Sequence, residues 1–186
     1  MSNPPSKSIS NNLERNIAII YAAAEPSASD RGIAAVLNEY EATPVFVSLG
    51  ELVAVDTSLF DGIVLNEISA TEPKLAAKLS NLLRKFHRES KPIGSVGRSV
   101  VLVVSVFGAT HVEVTAGHDE ASAPDLVKAL KETGALYTSC SSSDYIGDRD
   151  HKVLTTPGSL LDGAGGVSRD TVTGIRKMLR ELVEMA

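Results

Sequence analysis

The sequence predicts an α/β domain in which a mainly parallel sheet is covered by helices on both faces, a three-layer α/β/α sandwich. Three observations predict it. Short apolar runs rich in β-branched residues, such as 16–22 (NIAIIYA) and 43–49 (TPVFVSL), lack the polar alternation of a half-solvated strand and read as strands buried on both faces. Segments with apolar residues at helical spacing lie between those runs. A length of 186 residues, 43% apolar and 22% charged, suits one domain around one core.

Taken in order, 16–22 is the first strand. Ser27 and Ser29 offer caps for a helix carrying Ile33, Val36, Leu37 and Tyr40. Residues 43–49 form the second strand, with Pro44 tolerated at its start. Residues 62–65 (GIVL) form the third, after the turn-prone Asp61-Gly62 pair. The next helix has the clearest signature: Thr71 as cap, Pro73 in the first turn, then Leu75, Leu79, Leu82, Leu83 and Phe86 at helical spacing. Lys91-Pro92 stops it and launches a fourth strand, 93–96, ending in Gly97. Residues 99–107 read as strand by their valines. They nonetheless follow a strand directly, where a doubly wound fold needs a helix, and tertiary context overrides propensity; a buried helix is expected. Beyond it come a strand at 111–115 (HVEVT), a helix from Ser122 through Leu126 and Leu130 to Gly134, and a strand at 135–140. A hairpin at 144–155 turns at Asp148-Arg149-Asp150, and Ser168 opens a last helix with Val172, Ile175, Met178, Leu179 and Leu182 on one face.

Composition narrows the function. A formal charge of −5 opposes a nucleic-acid footprint, which needs clustered cations. The densest basic cluster, Arg84-Lys85-Phe86-His87-Arg88 with Lys91, falls at a predicted helix end, where cations complement the helix dipole. The longest apolar run, 17–24, is far short of the roughly 20 residues of a membrane span. The lone Cys140 has no intramolecular disulfide partner, which fits a reducing compartment, cytosol or mitochondrial matrix. Residues 1–15 are polar, with Pro4-Pro5, and read as a flexible or partner-bound arm preceding a single domain at 16–186. Four scattered histidines and one cysteine offer no metal-ligand spacing, so no metal or cofactor is expected. The stretch Asp162-Gly163-Ala164-Gly165-Gly166 reads as a link, not a phosphate loop.

Three stretches together carry a family resemblance: Lys152-Val153-Leu154-Thr155-Thr156-Pro157-Gly158 with Asp148 and Asp150 before it, Lys91-Pro92-Ile93-Gly94-Ser95-Val96-Gly97, and Gly134-Ala135 followed by Cys140. In order and spacing they resemble the PfpI-like, class I glutamine amidotransferase-like superfamily, with its ElbB-type (glyoxalase-like) branch the nearest match. The resemblance implies a flavodoxin-like sheet and a strand-to-helix elbow that presents a cysteine thiolate to backbone amides. Counted from Gly94, that position is Gly97, which has no nucleophile. An acid from the loop after the first strand is implied as the thiol's partner; Glu25 and Asp30 are the candidates, and Asp30 is preferred. The glycine loop implied for oxyanion binding is replaced by Leu65-Asn66-Glu67-Ile68.

The residues left to take over are few. Ser95, Ser99 and Ser105 flank the elbow, and His118 lies near the histidine implied for members with a Cys-His pair, making Ser99 and His118 the weak catalytic candidates. His111 reads as a strand residue, His87 and His151 as solvent-facing, and Cys140 as a packed strand residue. Arg98, opening the helix after the elbow, reads as a salt-bridge residue or as part of an anion site. The expected function is that of a catalytically degenerate structural or interaction component, a homodimer or a subunit of a larger assembly. The alternative is a glyoxalase-like or small-molecule hydrolase with displaced catalytic residues.

Overall fold

A computed structural model describes residues 14–69, 72–162 and 167–186. Its sheet has the order β2-β1-β3-β4-β8-β7. The strands β1 (Arg15–Tyr21), β2 (Ala42–Ser48), β3 (Gly62–Asn66), β4 (Ile93–Val96) and β8 (Val153–Thr156) run parallel, and β7 (Ile146–Asp148) closes one edge antiparallel to β8. This is the flavodoxin-like three-layer arrangement, and the expected hairpin is its β7–β8 edge.

Strand pleating divides β1 between two cores. Ile17 and Ile19 face one cluster with α1 (Ala28–Glu39) and α5 (Arg169–Met185), while Ala18 and Ile20 face another with α2 (Pro73–Arg88) and α3 (Val100–Phe107). Being covered on both sides is why β1 reads as an unbroken apolar run. In α2, Leu79, Leu82, Leu83 and Phe86 are buried; each contributes at most about 1.5–3 kcal/mol relative to exposure. Pro73 occupies the first turn, where its missing N–H leaves nothing unpaired. The predicted cap Thr71 lies outside the described residues, as do most of the N-terminal arm (1–13) and the glycine link (163–166).

The segment at 99–107 is helical despite its valines. In α3, Val100, Leu102, Val103, Val104, Val106 and Phe107 are all buried, and that burial outweighs a propensity deficit of up to about 0.7 kcal/mol per residue. Several expectations are corrected. The strand predicted at 111–115 shrinks to β5 (Glu113–Val114), and that at 135–140 to β6 (Leu136–Tyr137); the two pair only with each other, in a separate parallel sheet. His111 is no strand residue: it ends a helical turn at φ +62. The helix expected from Ser122 is α4, Pro124–Glu132, because Pro124 sets its first turn. Val172 points outward at 43% exposure, while Ile175, Met178, Leu179 and Leu182 are buried as expected. Among the described residues no helix is long and apolar enough to cross a membrane.

Candidate functional site

The elbow forms where β3 and β4 end side by side. Asn66 is in register with Val96, so the next residues, Glu67 and Gly97, face each other. Both turn sharply: Glu67 has φ +53 and Gly97 has φ +61. Gly97 enters this left-handed region freely, whereas another residue there costs about 1–2 kcal/mol. The Glu67 N–H donates to the Val96 carbonyl at 3.1 Å, carrying the sheet's pairing one residue further.

The Glu67 carboxylate fills the elbow. Its Oε1 accepts from the backbone N–H of Ser159 at 2.8 Å and from the Ser159 hydroxyl at 2.7 Å; its Oε2 accepts from the Arg98 N–H at 3.1 Å. The Arg98 Nε lies 3.5 Å from the same oxygen. A Cβ placed on Gly97 would sit 2.2 Å from both carboxylate oxygens, far inside contact distance. Ser159 follows the Thr155-Thr156-Pro157-Gly158 turn, and Gly158, at φ +56, would meet Glu67 Oε1 at 2.7 Å if it bore a Cβ. The donors around the elbow thus serve an internal anion, a grouping that backbone amides at a strand-to-helix turn suit well. Arg98 belongs to this arrangement through both its amide and its guanidinium.

Glu67 is the residue that sequence reasoning missed. The signal was present: parallel strands of matched length bring the residues just beyond them together, so an acid after the third strand faces whatever follows the fourth.

The remaining predicted residues are dispersed. Asp30 is buried and completes a capping box, its Oδ2 accepting from the Ser27 N–H at 2.7 Å and the Ser27 hydroxyl at 2.6 Å. Its Oδ1 accepts from Asn66 Nδ2 at 2.7 Å, so Asp30 anchors α1 and the residue preceding Glu67. Glu25 is exposed. The Asn66 Oδ1 and Ser95 Oγ are buried without a hydrogen-bond partner. Ser99, fully buried, accepts the Ile68 N–H at 2.7 Å on its hydroxyl, while His118 Nε2 lies 3.1 Å from the Leu160 carbonyl. No hydrogen bond among the described residues joins Ser99 to His118. Ser105 is turned to the Leu102 carbonyl of its own helix.

Two further expectations are corrected. Cys140 lies beyond the end of β6, half-buried in a loop, and burial pushes its thiol up; a raised thiol is a poor nucleophile at neutral pH. His87 and His151 are only partly solvent-facing, each with its ring engaged by a neighbour. Half-buried His151 holds Asp148 Oδ2 at 2.7 Å through Nδ1, and the His87 ring lies 5.0 Å from Phe107 and 6.1 Å from His151. Among the described residues no group of three or more His, Cys, Asp or Glu side chains is arranged to hold a metal ion.

Elbow, sheet order and flanking helices together define the DJ-1/ThiJ/PfpI-like, class I glutamine amidotransferase-like fold. Solved structures share it at low identity. An isoprenoid biosynthesis protein with an amidotransferase-like domain from Ehrlichia chaffeensis aligns with TM-score 0.75 and 15% identity over 92% of this chain and 99% of its own. A ThiJ/PfpI domain protein from Brachyspira murdochii aligns at 0.64 and 13% over 93% and 99%, and Drosophila melanogaster DJ-1beta at 0.56 and 15% over 91% of each. Among curated proteins, the chain is 28% identical over 123 residues to human glutamine amidotransferase-like class 1 domain-containing protein 3, mitochondrial, covering 63% of this chain and 44% of that one. It is 26% identical over 152 residues to the Danio rerio ES1 protein, mitochondrial, covering 72% of this chain and 56% of that one. The chain therefore spans about half the length of the curated relatives it matches. No family model matches it.

Proposed function

We propose that this chain is a catalytically degenerate protein of the DJ-1/ThiJ/PfpI-like fold, acting as a structural or interaction component, either as a homodimer or as a subunit of a larger assembly. One observation carries the proposal: the Glu67 carboxylate occupies the space that a side chain at position 97 would need, and the neighbouring amides are engaged by it. An elbow without a nucleophile, whose donors already hold an anion, has neither the attacking group nor the free donors that acyl or carbonyl chemistry requires. The Lys-Pro-Ile-Gly and Lys-Val-Leu-Thr-Thr-Pro-Gly stretches support the ElbB-type branch. The two relatives named as mitochondrial support an intracellular setting, cytosol or mitochondrial matrix.

Purified protein is expected to show no turnover of methylglyoxal, or of generic ester and amide substrates, above a heat-inactivated control. Saturable turnover abolished by Ser99→Ala or His118→Ala, in variants that still unfold cooperatively, overturns the proposal in favour of a glyoxalase-like or small-molecule hydrolase with displaced residues. Native mass measurement of the protein purified from its source supplies the positive side: a dimer or hetero-assembly is expected, and a monomer throughout the concentration range argues against the role.

A further inference from the structure

A cavity of about 550 Å³ opens between the second half of α2 and the end of α3. Along α2 its wall carries Asn81, Arg84, Lys85 and Arg88, spaced i, i+3, i+4 and i+7, which puts all four on one stripe of the helix. Its floor is largely aromatic: Phe107 is buried, and the His87 ring leans on it at a 5.0 Å centroid distance with the two planes tilted by 34°. No carboxylate is among the lining residues.

Among the described residues some cations are paired and others, Lys74, Lys78, Arg169 and Arg180 among them, are in no salt bridge; what sets Arg84, Lys85 and Arg88 apart is that they line one cavity. Lys91 pairs with Glu89, Arg98 with Glu67, Arg149 with Glu181 and Arg176 with Glu39. Among the described residues, no salt bridge or side-chain hydrogen bond engages Arg84, Lys85 or Arg88. With 23 acidic side chains against 18 lysines and arginines, acids are in excess, yet three neighbouring cations stand unmatched around one cavity. The helix dipole accounts for cations in the last turn of α2. It does not account for a concave apolar floor beneath the charges. Burial, then the nearby His151, hold His87 below the usual histidine range, so at neutral pH it offers a flat, largely uncharged ring. The nearest acid to that ring pair, Asp148, is already engaged by His151 and by the Glu113 amide.

We infer that this cavity binds a small phosphate ester, its flat apolar part lying on the His87–Phe107 floor and its phosphate held by the guanidiniums of Arg84 and Arg88. Guanidinium pairs suit phosphate because each presents planar, forked donors. The volume lies within the usual range for sites that take a ligand of nucleotide size. The inference is independent of the elbow, and holds whether or not position 97 is silent.

The test uses the full chain at neutral pH and moderate salt, titrated by NMR or calorimetry with adenosine monophosphate, phenyl phosphate, adenosine and inorganic phosphate. Both esters are expected to bind saturably, with adenosine and inorganic phosphate each at least about tenfold weaker, a step of about 1.4 kcal/mol. The Arg84→Ala/Arg88→Ala variant is expected to lose at least about tenfold in ester affinity while its thermal midpoint stays put, because both side chains are exposed. Asn81→Glu, an exposed position on the same stripe, provides a second variant that is expected to weaken the esters by charge without removing a cation. Three results overturn the inference: no saturable binding of either ester, esters binding no tighter than inorganic phosphate, or unchanged ester affinity in the double arginine variant. Saturable capture of polyglutamate with no ester binding also overturns it, assigning the surface to an acidic protein partner.

Discussion

Substituting Gly97 by alanine tests the elbow most directly. The new methyl group would lie 2.2 Å from both Glu67 carboxylate oxygens, so the carboxylate must leave its place. Three hydrogen bonds go with it, from the Ser159 amide, the Ser159 hydroxyl and the Arg98 amide. Bonds to charged groups contribute about 1.5–3 kcal/mol each when buried, but the Glu67 side chain is 24% exposed and water recovers part of the loss, leaving about 2 kcal/mol. The left-handed φ adds about 1 kcal/mol for any residue with a Cβ. Gly97→Ala should therefore lose about 3 kcal/mol in urea unfolding, or about 6–12 °C in thermal midpoint for a chain of this size. Glu67→Ala alone loses the same hydrogen bonds, about 2 kcal/mol, and keeps the backbone strain at position 67 unchanged. If the two residues compete for one space, the double variant is no less stable than Gly97→Ala, and the coupling between them is about 2 kcal/mol. Losses that simply add, within about 0.5 kcal/mol, would refute the idea that the carboxylate occupies the elbow.

Two other perturbations follow from the geometry. In α5, a Cβ on Gly174 would lie 2.3 Å from the Ser142 carbonyl and 2.9 Å from that of Asp144; Gly174→Ala should lower the thermal midpoint through about 1–3 kcal/mol of overpacking, although alanine is the better helix former by about 1 kcal/mol. Burial pushes the Asp148 carboxyl up, but the amides of Glu113 and His151 and the His151 ring outweigh it and hold it below its ordinary value. A depressed folded value means that the unfolded chain takes up the proton first, so this contribution is present above about pH 4 and fades as pH falls below it; urea midpoints of Asp148→Asn should decline less steeply than wild type between about pH 5 and pH 3.

The sheet and its helices were legible because their signals are local and redundant. In α2 a proline, a leucine ladder and a basic last turn all agree, and the β1 run records burial on both faces. The helix at 100–107 was legible only through connectivity, since its valines argue for a strand and burial decides otherwise. What stayed hidden depends on pairing across the chain. β5 and β6 are two residues long each because they have only one another as partners. His87 looked solvated because nothing near it in sequence announces Phe107 beneath it, and His151 because a charged turn gives no sign that its ring folds back onto Asp148 three residues earlier. The glycine that ends the fourth strand was legible, but the carboxylate against it was not: a lone acid after the third strand gives no sign of where its carboxylate points until strand register aligns it with the fourth.

That interlock makes the present state hard to leave. A thiol introduced at position 97 alone arrives on top of a carboxylate and destabilises the chain. A smaller residue at position 67 alone discards hydrogen bonds and gains no chemistry. A side chain at position 97 is therefore accommodated at least cost when position 67 changes with it, 30 positions away in sequence.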